Sequence, residues 1–74
     1  MMANPFTYTK NPQTEREAQG NVNHYYYELM KAREELIHYD QERVTPPFDV
    51  IHAPKAMKVL HEDAKRVVHK FHTA

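Results

Sequence analysis

The sequence predicts an all-α protein: an antiparallel two-helix hairpin with an extended N-terminal arm and a proline-rich linker, dimerising into a four-helix bundle. Three observations carry this expectation. Two stretches place apolar residues at alternating spacings of three and four, the pattern of helices that press one seam on a partner. Prolines separate the two stretches from each other and from the N-terminus. The first stretch carries more apolar circumference than one helix of similar length hides, so something further has to cover it.

Residues 1–11 read as the arm. Pro5, the alternating Phe6-Thr7-Tyr8-Thr9 and then Pro12 keep this stretch out of a helix. Phe6 and Tyr8 are its only large anchors, and they are expected to tuck onto the hairpin and cover part of the first helix's surplus.

Helix 1 is expected over about 13–43. Asn11 before Pro12 offers one cap, and Thr14 with Glu17 has the spacing of a capping box. Glu15 and Glu17 suit the positive end of the helix dipole. Gly20-Asn21 is a weak point, costing about 1 kcal/mol against alanine, where the helix is expected to kink or restart. Beyond it Val22, Tyr25, Leu29, Ala32, Leu36 and Tyr39 form the seam. Ala18 extends the seam upstream, and Arg43 frays it downstream. At about 100° per residue, Tyr26, Met30, Ile37 and Val44 make a second stripe beside the first. Arg33 and Asp40 lie between the stripes, so each must reach out to water or find a partner.

The linker, 44–53, contains Pro46-Pro47, which cannot continue a helix. It also carries Phe48, Val50 and Ile51, which a purely solvated loop would not need. These are expected to fold over the open end of the hairpin, with room for one short helical turn holding Asp49. Helix 2 is expected over about 54–71, with Pro54 in the first position. Met57, Leu60, Ala64, Val67 and Phe71 form its seam, and Glu62 with Arg66 has favourable i,i+4 spacing.

Composition bounds the function. Seventy-four residues make a single domain with a marginal core. With no cysteine, neither a disulfide nor a thiolate metal site can staple it. No run approaches 18 apolar residues, and the N-terminus lacks a signal-peptide layout, so a cytoplasmic protein without a membrane span is expected. Formal net charge is zero, which argues against a strong nucleic-acid binder. The zero conceals an asymmetry: between Thr14 and Arg43 seven acidic residues face four basic ones, whereas from Pro54 onward five basic residues face two acidic ones.

Catalytic chemistry has little to draw on. The chain has one glycine, no cysteine and no serine, which excludes glycine-rich phosphate loops and the usual nucleophiles. Adjacent carboxylates at Glu34-Glu35 and Glu62-Asp63 point about 100° apart on a helix and do not converge. Six histidines are present. His69 with His72, and His24 with Glu28, have ligand-like spacing, but neither pair makes a full set. No metal and no cofactor are expected. In size and layout the hairpin resembles the small two-helix phosphatases of sporulating bacteria. Their Ser-Gln-Glu-Leu-Asp motif is missing, and the comparable part of helix 2 reads Leu60-His61-Glu62-Asp63, so no function is carried over.

What remains is interaction. The expected partner is another protein, bound by Tyr26, Tyr27, Met30, Arg33 and Ile37, a mixture of aromatic, methionine and arginine side chains typical of interfaces. Tyr27 is expected to stand exposed beside His24, Lys31 and His38. Homodimerisation is expected as well. The alternative is a nucleic-acid-binding dimer using Lys55, Lys58, Lys65, Arg66 and Lys70 of the basic helix, although Glu62 and Asp63 interrupt that set.

Overall fold

A computed structural model describes residues 5–73; the part of the arm before Pro5 lies outside the described residues. Two helices, α1 (Glu15–Gln41) and α2 (Phe48–Thr73), pack against each other as an antiparallel hairpin. The described residues contain no strand.

Of the two available caps, α1 uses Thr14. Its hydroxyl oxygen accepts from the Glu17 backbone N–H at 3.1 Å, and the Glu17 carboxylate in turn accepts from the Thr14 hydroxyl at 3.2 Å. The helix then runs unbroken through Gly20-Asn21 and does not restart there. The reason lies outside the helix. An alanine Cβ at Gly20 would sit 3.0 Å from the Thr7 carbonyl oxygen, so the glycine makes room for the arm to cross. Asn21, buried, clamps it: its Oδ1 accepts from Thr9 N–H at 2.7 Å, and its Nδ2 donates to the Thr9 carbonyl at 2.9 Å.

α1 ends at Gln41, two residues before the expected boundary at about 43 and five before the proline pair. Arg43 adopts φ 56°, Val44 N–H donates to the Tyr39 carbonyl at 3.0 Å, and Arg43 N–H donates to the Asp40 carbonyl at 3.1 Å. This is a Schellman ending with arginine at the left-handed position that glycine usually takes. α2 begins at Phe48, directly after the prolines, so Pro54 sits inside the helix and not at its start. Val50 and Ile51 both donate to the Pro47 carbonyl at 3.1 Å, which starts the helix six residues before Pro54, the expected first position.

Between the helices lie Ala18, Leu29, Ala32 and Ala64, all buried, with Val22, Tyr25, Leu36, Tyr39, Val50, Met57, Val67, Val68 and Phe71 half-buried. Leu60, expected in the seam, is 37% exposed. His61 takes that level, half-buried, with its ring 5.8 Å from the Tyr26 ring. Phe48 and Ile51 do not cover the hairpin's end as expected: Phe48 is 72% exposed and stacks on His52 at 4.0 Å. At the opposite end His72 Nε2–H donates to the Glu15 carboxylate at 2.7 Å, tying the helix termini together. No helix among the described residues is long and apolar enough to cross a membrane.

Candidate interaction surface

The arm determines which side of α1 stays open. Tyr8 packs at 5.7 Å from both His24 and Tyr25, in addition to the Thr9–Asn21 clamp. Relative to Leu29 at the centre of the seam, Asn21, His24 and Tyr25 all lie on one flank, while Tyr26, Met30 and Ile37 lie on the other at about 100° per residue. The arm therefore covers the Asn21–Tyr25 flank and then crosses the back of α1 over Gly20, where the Pro5 carbonyl accepts from Asn23 Nδ2 at 3.1 Å and Phe6 packs on Tyr27. It stops short of Tyr26, Met30 and Ile37, which corrects the expectation that Phe6 and Tyr8 would shelter the second stripe. Burial and then the neighbouring Tyr8 raise the Tyr25 phenol above its ordinary pKa.

The stripe is left open. Tyr26 is 53%, Met30 44% and Ile37 54% exposed, spread over about 16 Å of helix at 1.5 Å per residue. Val44, beyond the helix end, is exposed too. Arg33 and Asp40 both reach solvent, so the snorkelling alternative is the one adopted. The Tyr26–His61 contact identifies the side of α2 that borders the stripe. Lys58 and Lys65, three residues before and four after His61, share that side. Lys65 is held by Glu62 at 3.1 Å, and the lysine in turn keeps the Glu62 carboxyl below its usual range.

Of the five residues expected to bind a partner, the structure groups Tyr26, Met30, Arg33 and Ile37. Tyr27 is exposed but stands apart. Its ring lies 6.0 Å from Phe6, and the Lys31 ammonium sits 5.5 Å from its centre, so it belongs to the arm's side of α1. His61 joins the group. The signal for it was angular, since it lies at the edge of the apolar arc of helix 2.

The basic set is not a continuous patch. Arg66 pairs with Asp63 and not with Glu62, and Lys65 with Glu62, while Lys55 and Lys58 are exposed and Lys70 engages other groups. Among the described residues no three of His, Cys, Asp or Glu converge as a metal site would require. Compared with models of protein families, with curated proteins and with solved structures, the chain finds no match.

Proposed function

We propose that this chain is a small non-enzymatic interaction protein whose working surface is the open stripe of α1, Tyr26, Met30 and Ile37 with Arg33 beside them. The observation that carries the reading is the exposure of three large apolar side chains in register along one helix although the arm is docked on the flank and back of that helix. Contiguous exposed apolar surface of this kind marks a binding face more often than scattered residues do. Its occupant is a larger protein, to which the hairpin acts as adaptor, inhibitor or assembly subunit, or a second hairpin that closes a four-helix bundle.

The test compares the unaltered chain with Met30→Asp in affinity capture from the native host, with helical content followed by circular dichroism. Supporting results are specific retention of a protein by the unaltered chain, its loss in Met30→Asp, and helicity largely kept. If Met30→Asp unfolds outright, the stripe is core. If the chain instead retains mixed DNA or RNA, with affinity falling steeply as salt rises, the basic helix is the working surface.

A further inference from the structure

We infer that the stripe of α1 is covered by a second copy of this chain, stripe against stripe, and that this second layer adds to the stability of the hairpin. The inference rests on the reading of the stripe as a binding face and names its occupant. The molecule measures 48 × 28 × 16 Å. A helix with its side chains is about 10–12 Å across, so the shortest dimension holds one layer of helices, whereas stable domains bury their apolar faces between two. The radius of gyration is 14.8 Å, against about 11 Å for a compact chain of this length.

The surface gives the same result in area. The chain exposes 6058 Å², whereas a folded monomer of 8.8 kDa exposes about 4,800 Å². The excess of about 1,300 Å² exceeds the roughly 800 Å² per partner of a standard stable interface. Among the described residues no large side chain is fully buried. Without disulfide or metal to compensate, a chain of this size has to find that burial by association.

Neutrality of the whole chain permits self-pairing, since zero net charge leaves no long-range repulsion between copies. Between the acidic α1 helices, seven acidic residues against four basic from Thr14 to Arg43, charge opposes contact. The cost of stripping water from lysines is what places α1 on α1. Packing the stripe on the partner's α2 would drive Lys58 and Lys65 toward apolar side chains and strip their water. Packing stripe on stripe keeps both lysines at the wet rim and makes the same patch serve both copies, as two-fold symmetry requires.

Light scattering on a sizing column, run across a wide range of protein concentration, tests this together with thermal unfolding at each concentration. The expected result is twice the 8.8 kDa protomer mass and a melting temperature that rises with concentration. Met30→Asp should give a monomer of reduced stability. Val59→Asp, on an exposed α2 position away from the stripe, should remain dimeric. A monomer at millimolar protein, with concentration-independent unfolding, overturns the inference. So does a dimer broken by Val59→Asp and untouched by Met30→Asp. If the chain is monomeric but Met30→Asp still abolishes capture of a larger protein, this inference fails and the binding reading stands; if capture is absent as well, both fail.

Discussion

The side chain of Asn21 satisfies both backbone groups of Thr9, accepting from its N–H at 2.7 Å and donating to its carbonyl at 2.9 Å. One carboxamide thus does for the arm what a neighbouring strand would do, from a buried position on a helix. Asn21→Ala leaves those two backbone groups without partners, at about 1–3 kcal/mol if the arm stays in place. The arm should release instead, and limited proteolysis at Lys10 should quicken while helical content is retained. Unchanged cleavage would show that Tyr8 and Phe6 hold the arm unaided.

Gly20 is coupled to the same crossing. In a free helix Gly20→Ala gains about 1 kcal/mol. Here the new Cβ meets the Thr7 carbonyl oxygen at 3.0 Å, a backbone atom that the clamp holds in place. The gain should shrink or turn into a loss in the unaltered chain and return once Asn21→Ala has freed the arm. A double-mutant cycle from denaturant midpoints, at one protein concentration, reads this coupling. Equal effects in both backgrounds would contradict it.

Arg43 takes the left-handed position of the Schellman ending at φ 56°, a conformation that costs a non-glycine residue about 1–2 kcal/mol. Arg43→Gly should stabilise the chain by about 1 kcal/mol, less the added entropy of an unfolded glycine. The denaturant midpoint should rise with its slope unchanged. A lower midpoint would mean that the arginine side chain contributes more than its backbone costs.

Tyr25 links the arm to pH. Its folded pKa is raised, first by burial and then by Tyr8, so folding favours the neutral phenol. That contribution is fully present below the ordinary tyrosine pKa of about 10 and is lost as pH rises through the raised value. Ultraviolet titration should show Tyr25 ionising late. Tyr8→Phe should move it only part of the way back, because burial is the larger cause. An unmoved midpoint would remove Tyr8 from the account.

The hairpin was legible because the seam of α1 repeats strictly: Leu29 and Ala32 sit where the spacing put them, buried. The open stripe was legible for the same reason. What the sequence hid were effects that local spacing does not record. Gly20 and Asn21 read as a flaw in the helix because their role depends on Thr7 and Thr9, 13 and 12 residues away in sequence. Pro54 read as a helix start because a proline at the first position costs nothing, whereas α2 tolerates it one and a half turns in. Leu60 and His61 lie on either side of the arc, and only the position of Tyr26 decided in favour of the imidazole. Phe48 read as cover for the hairpin's end because it is apolar, yet the helix that begins with it turns its ring outward to His52.

The most direct measurement is a cross-link. The chain has no cysteine, so Met30→Cys introduces a single thiol at the centre of the stripe, and Val59→Cys introduces one on the exposed side of α2. Under mild oxidation Met30→Cys should convert rapidly to a disulfide-linked dimer at low protein concentration, while Val59→Cys stays monomeric on a denaturing gel. Cross-linking at Val59 and none at Met30 would contradict the account.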